Sequence, residues 1–371
     1  MSDPIRILHV FGALNRGGAE TMVMNLYRNF DRNKVQFDFV IHCPGPCDYS
    51  REIEAFGGKV YSVPRFNGKN YFQYVKAWDC FFQEHAEYKI IHGHVRSTAA
   101  IYLRIAKRFG LITIAHSHST SNGAGLPGLI KNMMQYPVRY SSDHLFACSQ
   151  KAGEWMYGRK AVKKDSFQII QNAIDISKYS YNPVVRKAKR AELNLNDQFV
   201  IGHVGRFEYP KNHLFLIDAF KEIHDQNSAA VLLLIGDGEL RPEIEKKILQ
   251  LNLRNFVILT GVRSDVPELM QAMDVFILPS LYEGLGIAAI EAQAAGLRCL
   301  VSDAIPREAF ITDLIEALPL SAHPKEWADQ LLRFKNGYER KNTFTQIQNA
   351  GYDVRDSAKK LEEFYLKCYD T

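Results

Sequence analysis

The chain has 371 residues, with 46 Lys and Arg against 41 Asp and Glu, a formal net charge of +5. Apolar residues make up 46 % and charged residues 23 %, an ordinary globular composition with apolar mass for two or three domains. This excludes a disordered chain, a collagen-like chain and a disulfide-stapled miniature. No apolar run approaches the roughly 18 residues needed to cross a bilayer.

The charge is uneven. Residues 1–180 hold 23 basic against 14 acidic side chains, and residues 181–371 hold 23 against 27. The halves differ in sign, which points to two domains with different partners. A basic half attracts phosphates, whether of nucleic acid or of an anionic membrane surface. Of the six cysteines only Cys43 and Cys47 are close, and no second pair or His cluster accompanies them. They read as buried or loop thiols and not as a zinc site. The N-terminus shows no basic segment leading into a long apolar one, so no export signal is expected and the chain is assigned to a reducing cytoplasm.

The first element is the apolar run Ile5–Phe11, a buried parallel strand that ends at Gly12. Asn15-Arg16-Gly17-Gly18-Ala19-Glu20 follows, then an amphipathic helix over Thr21–Asn29. Further strands are predicted at Phe37–His42, Lys59–Val63, Ile90–His92, Leu111–His116, His144–Cys148 and Phe167–Gln171. Helices over Tyr71–His85 and Ser97–Phe109 separate some of them. Alternating strand and helix predict a doubly wound α/β sheet. The polar, basic segment Tyr181–Asn196 reads as an interdomain region.

The pattern then restarts. Strands are predicted at Phe199–Val204, Ala230–Ile235, Val257–Thr260, Val275–Pro279 and Arg298–Ser302. Helices fall at Asn212–Ile223, Leu240–Leu251, Val266–Ala272 and Gly286–Ala295. This is a second Rossmann-like domain, so the expected boundaries are 1–180 and 181–355. The last helix, Asp356–Tyr369, has no strand after it and is expected to pack back across the first domain. Two such domains would face each other with the carboxyl ends of their strands, and ligands would bind in the cleft.

The strongest constellation is Glu283-Gly-Leu-Gly-Ile-Ala-Ala-Ile-Glu291. Glu283 lies in the loop before a helix and Glu291 two turns on. The amides around Gly286, Ile287 and Ala288 form a helix N-terminus suited to phosphate. A carboxylate at Glu291 can accept both hydrogen bonds of a ribose diol. The same acids would equally suit a solvated helix. The second constellation is Gly205-Arg206-Phe-Glu-Tyr-Pro-Lys211. Two cations after the domain's first strand suit a diphosphate, Arg as a fork and Lys as a point charge, or else serve as a hydrated surface loop. The third is Gly17-Gly18, where paired glycines before a helix let a ligand approach the backbone, or simply make a tight turn.

The fourth constellation is histidine. His116 ends a strand and is followed by His118, and His92 and His94 end the strand before it in the same way. Strand ends at a switch point face ligand, so His94, Arg96, His116 and His118 are candidates for holding an acceptor. No acidic ligand accompanies the histidines, and no metal is expected. There is no Gly-x4-Gly-Lys-Ser/Thr loop, no Gly-x-Ser-x-Gly elbow, no Gly-x-Gly-x-x-Gly turn and no nucleic-acid-binding motif.

Taken together, these residues resemble the retaining glycosyltransferases of family 4, with the GT-B fold, over essentially the whole chain. The carrying features are Gly17-Gly18-Ala19-Glu20, His116, Asn172–Asp175, Gly205-Arg206 with Lys211, Gly236–Gly238, Gly261, and Glu283 with Glu291. Glu291-Ala-Gln-Ala-Ala-Gly296 and Tyr71–Trp78 resemble the capsule and exopolysaccharide branch. Gly284 departs from the proline common at that place, and His118 from the usual Asp.

The resemblance implies roles. Glu291 would hold the nucleotide ribose and Glu283 the donor-sugar hydroxyls. Arg206 and Lys211 would neutralise the diphosphate, helped by amides near Gly286 and Ile287. Gly18 would let its loop close over the donor phosphates. His116 would face donor sugar and acceptor, and Arg263, just after Gly261, would contact the base. Transfer would retain the anomeric configuration by a front-face route, without a metal or other cofactor. The donor would be a nucleotide sugar, with UDP favoured. The acceptor would be a polyprenyl-diphosphate-linked or oligosaccharide glycan, and nucleic acid is not a partner.

Arg104, Lys107, Arg108, Lys131 and Arg139 flank Ile101, Leu129, Ile130 and Met133, a pattern that suits a peripheral site on the inner face of the membrane or an ordinary solvated helix face. The sugar is expected to be selected in part by the loop Ser119–Pro127. The competing readings are a nucleotide-sugar epimerase of the same fold and a non-catalytic nucleotide-sugar-binding subunit of a polysaccharide assembly complex.

Overall fold

The computed structural model describes residues 3–118 and 125–370. The chain forms two compact units, Met1–Ile174 with Asp353–Thr371, and Asp175–Tyr352. The first contains strands β1 (Ile5–Phe11), β2 (Val35–Ile41), β3 (Val60–Ser62), β4 (Ile90–Gly93), β5 (Ile112–Ser117), β6 (His144–Ala147) and β7 (Phe167–Ile169). They form one parallel sheet in the order β3-β2-β1-β4-β5-β6-β7. The order reverses between β1 and β4, which makes that pair the switch point.

Alternation along β1 and β2 divides the core between the two faces of this sheet. Ile7, Phe37 and Phe39 enter one cluster, and Leu8, Val10 and Val40 enter the other with Trp78 and Tyr102. The first cluster is closed by the terminal helix Val354–Tyr369. Val354, Ala358, Leu361, Tyr365 and Cys368 recur at helical spacing and are all buried. Asp353 caps this helix by accepting from the Arg355 amide at 2.9 Å. A polar linker could not hold the helix there; the apolar stripe does.

The second unit contains β8 (Phe199–Val204), β9 (Ala230–Ile235), β10 (Val257–Leu259), β11 (Val275–Leu278), β12 (Arg298–Ser302) and β13 (Ile315–Leu318). Its parallel order is β10-β9-β8-β11-β12-β13, again reversing beside the first strand of the unit. The sequence pattern did not pick out β13 or the helices Pro324–Leu332 and Phe344–Asn349. Each is short, and the first of those helices starts at a His323–Glu326 capping box that replaces the usual Ser or Thr with His.

The segment 181–196 is not a linker. Pro183–Glu192 is a helix of the second unit, capped by the Asn182 side chain. Two of its cations, Arg186 and Arg190, are drawn inward by carbonyls. Arg190 is buried and donates to the oxygens of Ala272, Asn196 and Gln198, while Arg186 reaches Asp274 and two further carbonyls. A guanidinium with five donors can be satisfied inside when carbonyls face it. No helix among the described residues is long and apolar enough to cross a membrane.

Candidate active site

Two loops at the switch point of the second unit carry its candidate residues. One follows β8 and runs from Gly205 to Lys211; the other follows β11 and leads into the helix Ile287–Ala294. β8 and β11 are hydrogen-bonded neighbours, so the loops emerge side by side. They are stitched together by backbone and side chain. The Leu281 amide donates to the Pro210 carbonyl at 2.8 Å, and Asn212 Nδ2 donates to the Pro279 carbonyl at 3.1 Å. The Gly205 loop has a further constraint. Gly236 lies in the left-handed half of backbone space, with φ +137, and a Cβ there would run into the Gly205 carbonyl oxygen.

This frame brings Lys211 and Glu283 together. Lys211 Nζ donates to Glu283 Oε1 at 2.5 Å, and Ser280 Oγ donates to the same oxygen at 2.8 Å. Both side chains are largely withdrawn from solvent, at 22 % and 12 % exposure, which strengthens the pair relative to a surface one. Arg206 is more open, at 58 %, with Glu208 Oε1 at 3.4 Å. Gly286 adopts φ 82 as the N-cap of the helix that follows, so the chain turns sharply there. The first-turn amides of that helix, including Ile287 and Ala288, have no acceptor within it.

Glu291 sits deeper on this helix. Tyr179 Oη donates to its Oε1 at 2.6 Å. Burial pushes the Glu291 carboxyl up to about 7, with the Tyr179 hydroxyl and Lys211 acting in the opposite direction. Arg263 is bound to acids of its own unit. Its guanidinium reaches Asp265 Oδ1 at 2.7 Å and Glu192 Oε1 at 3.1 Å. Gly261 accepts from the Gly236 amide at 3.0 Å and so ties the loops after β9 and β10 together. A base contact from the Arg263 side chain would therefore compete with two carboxylates.

In the first unit, Gly17 is the N-cap and Gly18 the first residue of a helix that runs to Arg28. The glycine pair is thus the helix N-terminus itself, three residues earlier than the pattern indicated, and Gly18 has open space where a Cβ would stand. The histidines form a single buried group. His9 Nδ1 lies 3.0 Å from His94 Nε2, and His94 Nδ1 lies 2.7 Å from His118 Nε2. His92 Nε2 lies 3.1 Å from His116 Nδ1. His116 is only 1 % exposed, so it lies inside its unit and does not stand open to solvent. Arg96 is held over the Trp155 ring, 5.2 Å from its centre. The loop expected to select the sugar lies, at 119–124, outside the described residues, and Gly125 already begins a helix.

Residues 16–178 match the family model described as Glycosyltransferase Family 4, and residues 185–350 match the one described as Glycosyl transferases group 1. The chain belongs to glycosyltransferase family 4. It is 34 % identical to the Bacillus subtilis protein named "Putative glycosyltransferase EpsF", over 98 % of this chain and 97 % of that protein. It is 26 % identical to an Escherichia coli UDP-Gal:alpha-D-GlcNAc-diphosphoundecaprenol alpha-1,3-galactosyltransferase, over 76 % of each. The structure of Anabaena Alr3699/HepE in complex with UDP has the same fold, with a TM-score of 0.78 at 19 % identity over 98 % of this chain and all of that one. The architecture is accordingly GT-B, with two Rossmann-like units.

Several residues of this glycosyltransferase were not evident from its sequence. His9, in the middle of β1, joins the histidine group because the strand register sets it opposite His92. Tyr179 and Tyr365 meet Glu291 and His92 from distant parts of the chain. The first unit also contains a cavity of about 730 Å³, lined by Gly12, His42, Arg65, Phe66, Thr98 and Lys131 among others. A two-residue period of histidines at successive strand ends was the one available signal for the first of these.

Proposed function

We propose that this glycosyltransferase moves a sugar from a UDP-sugar to a lipid-linked or oligosaccharide acceptor in capsular or exopolysaccharide assembly. The observation that carries the reading is the Lys211–Glu283 pair at the switch point, beside Arg206 and the Gly286 helix start. The donor half of the reaction is assigned to the second unit. A diphosphate there meets Lys211, Arg206 and the amides of Gly286, Ile287 and Ala288. When the bond from the anomeric carbon to the phosphate oxygen breaks, negative charge grows on the diphosphate, and these groups stabilise it. No metal is required for that neutralisation. As Lys211 turns to phosphate, Glu283 is freed to accept from donor-sugar hydroxyls. Glu291 accepts from the ribose diol through the oxygen that Tyr179 does not hold.

Transfer is proposed to retain configuration. In this reading Glu283 is given to the donor-sugar hydroxyls and Glu291 to the ribose diol, and neither is assigned a nucleophilic role. The leaving phosphate oxygen then takes the proton of the attacking acceptor hydroxyl on the same face of the sugar.

The acceptor half is assigned to the first unit, with His116 contacting the transferred sugar or acceptor and His94, Arg96 and His118 around it. The cavity supports an anionic, amphiphilic acceptor, because the cations Arg65 and Lys131 border apolar Phe66, Ile130 and Met134. The named reaction of the galactosyltransferase relative, on a diphosphoundecaprenol acceptor, has the same chemistry. Leu129, Ile130, Met133, Tyr136 and Tyr140 are exposed next to Lys131 and Arg139, which suits the anionic inner face of the cytoplasmic membrane.

Thermal shift with UDP, GDP and ADP tests the donor, since a ligand bound only by the folded state raises Tm by mass action. UDP release is then followed for the wild type, Lys211→Ala and Glu283→Ala with a panel of UDP-sugars. Unchanged turnover in both variants would remove the donor-site assignment.

A further inference from the structure

The histidines of the first unit are ordered in two files. In one, Tyr365 Oη meets His92 Nδ1 at 2.6 Å, and His92 Nε2 meets His116 Nδ1 at 3.1 Å. The other is His9–His94–His118. The ring centres of His92 and His116 are 5.2 Å apart and their planes differ by 16°. With facing nitrogens 3.1 Å apart, those nitrogens must lie almost on the line between the centres. The rings therefore meet edge to edge, as an N–H donor meets a lone pair. The second file lies against the first, with His116 and His118 centres 4.0 Å apart.

This arrangement argues against an ion. Two sets of three histidines do bring their nitrogens within 4.8 Å. Zinc ligands, however, aim their lone pairs at one point about 2.0–2.1 Å from each nitrogen. Head-on contacts between coplanar rings instead use those lone pairs on one another.

A neutral imidazole has one N–H and one lone pair, so the direction of each hydrogen bond fixes the next. Burial lowers the His92 and His116 pKa well below the usual range, and both rings are neutral. Tyr365 is fully buried, and His92 is its hydrogen-bond partner among the described residues. If the phenol accepted from His92, its own O–H would be orphaned, and the lone pair of His116 Nε2 would be orphaned as well. If it donates, a single unmatched group remains, the N–H on His116 Nε2, an atom with no partner among the described residues. Burying fewer unmatched groups is favoured, because each gives up its hydrogen bond to water and gains none.

We infer that Tyr365 and His92 are positioning residues that hold His116 as the tautomer protonated on Nε2. His116 then presents a donor, and no lone pair, to any substrate oxygen that reaches its Nε2, and does not serve as a base. The terminal helix, last in the chain, thereby sets the proton position of a residue on β5. The catalytic consequence rests on the proposed contact of His116 with substrate; the tautomer does not.

The full chain labelled with ring-¹⁵N histidine gives the tautomers directly, by long-range ¹H–¹⁵N correlation. His92→Asn and His116→Asn assign the signals. The expected result is a proton on Nε2 of both rings in the wild type. Tyr365→Phe keeps the ring and removes the donor; a second population protonated on Nδ1 is expected in both histidines. With it, kcat should fall about tenfold, the equivalent of one hydrogen bond, with the donor KM unchanged. A proton on Nδ1 of His92 or His116 in the wild type overturns the inference, as do unaltered tautomers in Tyr365→Phe. Should a variant fail to fold, the trans-hydrogen-bond N–N coupling in the wild type still reports the donor of the His92–His116 pair. A shifted tautomer with unchanged kcat removes the positioning role and, if His116→Asn is also fully active, the substrate contact of His116 with it.

Discussion

Lys211 and Glu283 are 72 residues apart in sequence, yet their side chains meet at 2.5 Å and close the gap between two neighbouring strand ends. Each partner matches the charge of the other. Removing either leaves a largely buried charge without its counterpart.

Lys211→Ala is therefore expected to lower kcat by about 10²–10³, equivalent to about 2.7–4 kcal/mol of barrier, as for a donor aimed at developing charge. Glu283→Gln keeps the size but loses the charge, and should affect transfer more than UDP affinity. Nucleotide-release kinetics alongside UDP titration separate the two effects.

Glu291 gives a pH signature. Its carboxyl is raised from the ordinary 4.5 to about 7, so the folded chain holds a proton that the unfolded chain has already lost. The stability this confers is complete below pH 4.5, declines as pH rises, and is gone above pH 7. Across that window the wild type should lose about 2–4 kcal/mol relative to Glu291→Gln, which cannot ionise. Urea denaturation at intervals from pH 4.5 to 8 checks it; parallel curves would refute the burial argument.

Gly236→Ala is expected to cost about 1–3 kcal/mol, because the new methyl meets a backbone carbonyl that cannot rotate away. The displaced group belongs to the Gly205–Arg206 turn, so the donor KM should rise with the loss of stability. Denaturant midpoints and initial rates on the same preparation test both parts.

The cavity of the first unit, proposed to take the acceptor, and the apolar surface beside it make separable predictions. Arg65→Ala should raise the acceptor KM and leave acceptor-independent UDP release unchanged. Arg139→Glu should weaken binding to vesicles rich in anionic lipid by about tenfold or more, since one reversed charge is worth about 2 kcal/mol near such a surface. Flotation with neutral and anionic vesicles at two salt concentrations distinguishes lipid attraction from aggregation.

The strand–glycine–helix punctuation of both units was legible because each βα turn is local. Ile5–Phe11 and Gly17-Gly18, or Val275–Leu278 and Gly286, lie within one short stretch of chain and obey backbone rules that need no partner. The acids and cations after β8 and β11 were legible for the same reason. The segment 181–196 was misread because Arg186 and Arg190 turn inward to the carbonyls of Gln271, Ala272 and Met273, 82–87 residues further along the chain.

The sequence alone determined two parallel α/β units and the side chains that stand at their strand ends, since side-chain period and turn chemistry are properties of neighbouring residues. Tertiary structure decided which of those side chains are charged, paired or protonated. Tyr179 reaches Glu291 across 112 residues and Tyr365 reaches His92 across 273. Burial and hydrogen-bond direction are fixed only when such distant groups are packed together, because the free energy of a proton depends on everything that surrounds it.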